Sequence, residues 1–248
     1  MASADASSAL RVTDLGVILG SRPVLREVSF TVEARSTLAV IGESGCGKTT
    51  LLRAIAGLAA IERGGIEVDG RPVDRLPPNR RGIVYLNQEP LLFPHLNLRD
   101  NLAFGLRLRH LPRERIAARV EALIAALDLC GLEGRHPHAL SGGQRQRAAF
   151  GRALAVEPAV LLLDEPFGSL DPTTRASMQD LFKRVSRERA ITAVFVTHDL
   201  KESLRVGDSF AALRDGRCCV YADRAAFCRD PATGVAREAA FWGASAEP

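Results

Sequence analysis

Thr37-Leu38-Ala39-Val40-Ile41 runs directly into Gly42-Glu43-Ser44-Gly45-Cys46-Gly47-Lys48-Thr49, and this junction constrains the fold more than any other stretch of the chain. The first segment is short, apolar and partly β-branched, the pattern of a buried strand. The second satisfies G-x-x-x-x-G-K-[ST] in full. Glycines at 42, 45 and 47 let the backbone bend, so that consecutive N–H groups and the positive end of a following helix face an anion. Strand, loop and helix together make a phosphate cradle within an α/β fold. Lys48 is expected to reach the β- and γ-phosphates of a nucleotide. Thr49 offers a hydroxyl to Mg²⁺, a hard cation that needs few protein oxygens, and Thr50 belongs to the same cradle.

A phosphate cradle alone is shared by many classes, so the partner elements decide. Ala159-Val160-Leu161-Leu162-Leu163-Asp164-Glu165 is a continuous apolar run ending in two acids, as expected of a central parallel strand whose carboxyl end meets the ligand. Asp164 can hold Mg²⁺ through water. Glu165, pointing differently because strand side chains alternate, is placed to orient or deprotonate an attacking water. A second apolar run, Ile191 to Thr197, delivers His198 to the same edge. A lone histidine after a strand is ordinarily a packing or capping residue; its position relative to the acids favours the site.

Leu140-Ser141-Gly142-Gly143-Gln144 reads as a second cradle about a hundred residues on. Ser141 is a good N-cap, and Gln144 through Val156 continues in helix formers. Two glycines in a first turn cost roughly 1 kcal/mol each relative to alanine unless something must come close, and an incoming phosphate is a sufficient reason. One nucleotide needs one cradle, so the second is expected to complete a site on another copy of this chain or on a close relative of it. Arg145, Arg147 and Arg152 add positive potential or form a solvated basic face.

With these motifs in this order, together with Gln88 and Ser169-Leu170-Asp171, the chain closely resembles the ATPase subunit of ATP-binding cassette (ABC) transporters over roughly residues 10–230. The resemblance implies a P-loop NTPase core of the ABC ATPase type, with an inserted helical subdomain and an antiparallel β subdomain. The expected boundaries are a disordered lead at 1–9, an ATPase domain at 10–230 and a short extension at 216–248; the core takes 10–88 and 151–215, the helical subdomain 89–150. Gln88 resembles the glutamine that reaches Mg²⁺ and the water. Asp171 resembles the aspartate that crosses the dimer. Ser141, Gly142, Gly143 and Gln144 resemble the signature, with Ser141 and Gly143 gripping the γ-phosphate of ATP held by the opposite subunit, and His198 resembles the switch histidine. Where the family stacks an aromatic ring on adenine, counting back from Gly42 reaches Leu19, so weaker base discrimination is expected.

The family also implies partners. Between Gln88 and the helical segment, Glu89-Pro90-Leu91-Leu92-Phe93-Pro94-His95-Leu96 is too apolar for an ordinary loop. It either tucks into the core or, as in the family, receives a coupling helix of a transmembrane permease through Leu91, Leu92, Phe93 and His95. ATP and Mg²⁺ are the implied cofactors, with a second ATPase subunit, expected to form a homodimer, and a substrate-binding protein completing the system. The expected location is the cytoplasmic face of the cell membrane. The loop and Pro166-Phe167-Gly168-Ser169-Leu170-Asp171 most resemble importers of the mineral and organic ion group. The chain ends about fifty residues after His198, which reads as too short for the regulatory domain several such importers append.

Composition narrows the alternatives. With 248 residues, 46% hydrophobic and 25% charged, the chain can bury a substantial core, and no apolar run reaches the ~18–20 residues of a membrane span. Met1 to Ser8 lacks the regions of a signal peptide. A net charge of +4 suits polyphosphate binding or an anionic leaflet, and no nucleic-acid partner is expected. Five cysteines without a secretion signal imply free thiols, and Cys218-Cys219 with Cys228 lack metal-ligand spacing. Cys46, near a helix N-terminus, is expected to have a lowered thiol pKa and to be alkylated with loss of activity. Pro112 to Leu129 reads as a helix with the apolar stripe Ile116, Val120, Leu123, Ile124 and Leu127; the tail offers a strand at Cys218–Tyr221, a helix and Trp242. Two other classes stay open: an ABC-type ATPase without a membrane partner, and a P-loop phosphotransferase, which leaves the signature unexplained.

Overall fold

Alternation of apolar and polar residues gives β1 (Ser8–Leu19) and β2 (Arg22–Glu33) one buried face each: Leu10, Val12, Leu15 and Val17 on the first, Leu25, Val28, Phe30 and Val32 on the second. The computed structural model describes residues 8–235. The two strands pair antiparallel, β1 pairs on its other side with β4 (Arg63–Val68), and β4 with β5 (Arg71–Pro72), in the order β2-β1-β4-β5. Of the expected lead, residues 1–7 lie outside the described residues. Ser8 and Ala9 belong to β1, because Ser8 already pairs with Glu33 and Ala9 is buried.

The second sheet has the order β10-β9-β3-β8-β7-β6. Its strands are β3 (Thr37–Ile41), β6 (Ile83–Leu86), β7 (Val160–Asp164), β8 (Ala193–Thr197), β9 (Ser209–Arg214) and β10 (Arg217–Tyr221). Every residue of β3, β7 and β8 is buried, which is why their sequences are continuous apolar runs rather than alternating ones. β3 runs parallel to β8 and β9, and β7 parallel to β8, whereas β10 closes the edge antiparallel to β9.

The described chain forms two units. The first, within residues 8–85, 159–165 and 190–235, holds both sheets with α1 (Lys48–Ala56), α6 (Leu200–Val206) and α7 (Arg224–Arg229). One core joins Val28, Phe30 and Ile66 of the antiparallel sheet to Leu51 and Ile55 of α1 and Leu38, Val40, Leu162 and Val194 of the parallel strands. Arg81 anchors the far end of α1: its guanidinium, almost wholly buried, donates to the carbonyl oxygens of Ala54, Ile55, Asp74 and Leu76 at 2.7–3.1 Å. Four carbonyls, two of them at a helix C-terminus, are thereby satisfied by one cation.

The second unit, residues 86–158 and 166–189, contains α2 (Leu98–Leu108), α3 (Arg113–Ala126), α4 (Gly142–Ala155) and α5 (Pro172–Glu188). The sequence boundaries assign 166–189 to the core. In the structure α5 joins the helical unit, because Phe182 packs on Phe150 of α4 (ring centroids 5.7 Å) and on Phe167 (6.4 Å). The α3 stripe buries Val120, Leu123, Ile124 and Leu127, with Ile116 half-buried at its start.

Candidate functional site

Parallel strands present their carboxyl ends at one edge of a sheet. Ile41 lies in register with Thr197, and Asp164 with Val196, so the loop after β3, Glu165 after β7 and His198 after β8 all begin from the same rim. Residues 42–47 link β3 to α1, with Glu43, Ser44 and Gly45 exposed. Gly47 is the N-cap of α1 at φ 109°, a conformation that other residues adopt only under strain. No side chain caps this helix, whereas Asn97, Ser141, Asp171, Asp199 and Asp223 cap α2, α4, α5, α6 and α7. The first N–H groups of α1 are thus open to an anion.

Lys48 is only 5% exposed. Its ammonium donates to the carbonyl oxygens of Gly42 (2.7 Å) and Glu43 (3.0 Å) and lies 3.5 Å from Glu165 Oε1. The other oxygen of that carboxylate, Oε2, is 2.7 Å from His198 Nδ1. Glu165 is therefore held between a cation and an imidazole. Strand alternation is not what turns it there. β7 ends at Asp164, and Glu165 takes φ 45° while its N–H still donates to Val196 O at 3.0 Å. A left-handed residue without glycine costs about 1–2 kcal/mol, and this one re-aims the carboxylate out of the sheet.

Asp164, the last residue of β7, uses both oxygens. Thr49 Oγ1 donates to Oδ1 at 3.2 Å, and the Tyr85 hydroxyl donates to Oδ2 at 2.6 Å. A hydroxyl and a carboxylate in contact are hard oxygen donors, the donor chemistry that Mg²⁺ takes. Leu19 lies at the exposed end of β1, paired with Arg22. The side chains that back the loop at Gly47 are instead Val24 and Leu25 of β2.

The helical unit carries the other motif residues. Gln88 is exposed, two residues past β6. In the apolar segment that follows, Phe93 N–H donates to Asn101 Oδ1 at 2.8 Å, and Asn101 Nδ2 donates to the carbonyl oxygens of Phe93 and Leu96. The Phe93 ring packs on Phe104 (4.4 Å) and His95 (5.9 Å), with the Arg152 guanidinium 4.8 Å above it. Leu92 is half-buried and Leu91 is 53% exposed. At α4, Ser141 Oγ accepts from Gln144 N–H and Gln144 Oε1 accepts from Ser141 N–H, a capping box. Gly142 is half-buried and Gly143 buried. A Cβ on Gly143 would stand 2.6 Å from Thr174 Cγ2, so a side chain here would crowd a neighbour within its own unit. Asp171 caps α5 by accepting from Thr174 N–H, and hydrogen bonding from the Thr174 side chain first, then from its backbone, holds the carboxyl below the usual range.

A family model for ABC transporters matches residues 25–168, more than half of the chain. The chain belongs to the ABC transporter family. Among curated relatives it is 47% identical over 209 residues to the sulfate/thiosulfate import ATP-binding protein of Mycobacterium tuberculosis H37Rv, covering 84% of this chain and 60% of that protein. The sulfate/thiosulfate import ATP-binding protein of Synechococcus elongatus is 42% identical over 229 residues, 92% of this chain and 67% of the relative. The spermidine/putrescine import ATP-binding protein of Pseudomonas fluorescens is 45% identical over 198 residues, 80% of this chain and 55% of the relative. The chain thus spans about 60% of the length of the mycobacterial relatives it matches.

Within this ABC chain the lowered thiol pKa expected of Cys46 is not found. Cys46 sits half-buried with its sulfur where a Gly42 Cβ would point, and burial pushes its thiol up rather than down, outweighing the nearby Lys48. Cys218 is likewise desolvated, with its thiol pushed up to about 12. Among the described residues no group of three or more His, Cys, Asp or Glu could hold a metal, and no helix is long and apolar enough to cross a membrane. Trp242 lies outside the described residues. Sequence reasoning missed Tyr85, whose partner Asp164 is 79 residues away, and Thr174, which gives no signal beyond its place in a helix start.

Proposed function

We propose that this chain is the ATP-hydrolysing subunit of an importer, working as a two-fold pair in which each P-loop faces the signature of the other copy. The observation that carries the reading is the convergence of Lys48, Thr49, Asp164, Glu165 and His198 on one sheet edge. The β- and γ-phosphates would take the α1 N-terminus and the Lys48 ammonium, with Thr50 in the same cradle, displacing the bonds that Lys48 makes to Gly42 and Glu43. Glu165 would then receive the proton of the attacking water, with His198 fixing the carboxylate. Thr49, Asp164 and Gln88 would hold Mg²⁺, which when bound offsets charge on the phosphate oxygens.

Ser141 and Gly143 would complete the site on the partner copy, Asp171 would cross between copies, and Leu19 would lie against the base. Leu91, Leu92, Phe93 and His95 would receive a permease helix. The full system would include a substrate-binding protein and act at the cytoplasmic face of the cell membrane. Its likeness to sulfate/thiosulfate and spermidine/putrescine import proteins favours a small anion or a polyamine as cargo.

The test is ATP-dependent association of the Glu165→Gln protein, followed by light scattering with and without Mg-ATP. A dimer that forms with Mg-ATP and is lost on adding Ser141→Arg supports the shared-site reading. A monomer that still binds ATP overturns the homodimer.

A further inference from the structure

Asp164 is gripped from two sides. Thr49 on α1 donates to Oδ1, and Tyr85 on β6, the strand beside β7, donates to Oδ2 with the shorter bond, 2.6 Å against 3.2 Å. A carboxylate that is almost buried (7% exposed) and bonded on both oxygens has one orientation. Without the phenol, Oδ2 would face a half-buried position with no donor, and the side chain would be free to rotate away from Thr49.

A second contact gives the phenol a further use. The Arg53 guanidinium, one turn along α1 from Thr49, also bears on Tyr85. A phenol donates a hydrogen bond to Asp164 without neutralising it, whereas a direct arginine pair would compete with a bound cation for the same oxygens.

We propose that Tyr85 is a positioning residue for the divalent cation: its hydroxyl fixes the Asp164 carboxylate so that Oδ1 is presented beside Thr49 Oγ1. The inference rests on the nucleotide-binding reading above and names a residue that reading does not use. Tyr85 touches neither phosphate nor metal in this role; it acts through Asp164.

The experiment is a Mn²⁺ titration followed by electron paramagnetic resonance, with the full chain saturated by a non-hydrolysable ATP analogue, for the parent, Tyr85→Phe, Asp164→Asn and the double variant. Removing the hydroxyl should weaken Mn²⁺ binding about fivefold, the usual consequence of losing one hydrogen bond that orders a ligand. In the Asp164→Asn background the same change should do nothing to Mn²⁺ affinity, because the carboxylate that would hold the cation is gone even if the phenol still donates to the amide oxygen. Nucleotide affinity measured in EDTA should stay near that of the parent, which separates positioning of the cation from a general loss of the nucleotide site. Equal Mn²⁺ affinity in parent and Tyr85→Phe, or an equal loss in both backgrounds, overturns the inference while leaving the nucleotide reading intact. If the parent itself binds no nucleotide, that reading falls and this one with it.

Discussion

Gly143 of α4 and Thr174 of α5 approach so closely that a β-carbon on the first would stand 2.6 Å from the γ-methyl of the second. The glycine expected to admit a phosphate is buried, and its missing side chain is explained by a neighbour in the same unit. Thr174 is the residue whose N–H is capped by Asp171, so the starts of α4 and α5 are locked together at this contact. Gly143→Ala should gain about 1 kcal/mol of helix propensity and lose about 1–3 kcal/mol to overpacking. Thr174→Ser, which removes the methyl, should restore the loss. Urea denaturation of the two single variants and the double one checks this; additive effects would count against the contact.

Cys46 gives a pH prediction. Burial favours the neutral thiol, so the folded pKa lies above the ordinary value of 9.0, and at pH 7 less thiolate is present than at an exposed cysteine. Iodoacetamide should modify Cys46 more slowly than the exposed Cys130 and Cys219, with a rate that keeps climbing beyond pH 9. Peptide mass spectrometry across a pH series reads all three in one sample.

Arg81 should be among the costliest residues to lose. Arg81→Met keeps much of the volume but strands the carbonyl groups of Ala54, Ile55, Asp74 and Leu76. A loss of about 3 kcal/mol or more in stability is expected, since hydrogen bonds to charged groups contribute about 1.5–3 kcal/mol each and not all will be replaced by water. Chemical denaturation measures it.

Leu19→Tyr should tighten ATP binding and sharpen preference among bases, because stacking on an aromatic ring is worth about 1–3 kcal/mol per base. Leu19 is 52% exposed, so the ring can be added without disturbing the core. Paired ATP and GTP titrations decide; unchanged affinity and selectivity would remove Leu19 from the site.

Within the apolar segment, Leu91 and Phe93 should separate. Phe93 packs on Phe104 under Arg152, so Phe93→Asp should destabilise the helical unit itself. Leu91 is exposed, and Leu91→Asp should leave melting temperature and ATPase rate unchanged while reducing transport in cells by tenfold or more. Normal transport with Leu91→Asp would argue against docking at this residue.

Contiguous chemistry was legible in the chain itself. The P-loop, the Asp164-Glu165 pair and the Ser141 cap with its Gln144 partner are each set by residues within a few positions, so local backbone preference and hydrogen bonding define them. Fully apolar runs likewise announced β3, β7 and β8, because strands buried on both faces have no polar side to alternate with. What lay beyond the sequence depended on contacts across long separations. Tyr85 meets Asp164 only because β6 and β7 share a sheet; Phe182 draws α5 into the helical unit; Thr174 explains Gly143; and the rim around Cys46 is apolar enough to overrule the helix end. Sequence determined which chemical groups this chain possesses and which local turns present them. Tertiary structure decided which groups meet and how much water surrounds them, and those two quantities set the orientation of Asp164, the direction of the Cys46 shift and the crowding at Gly143.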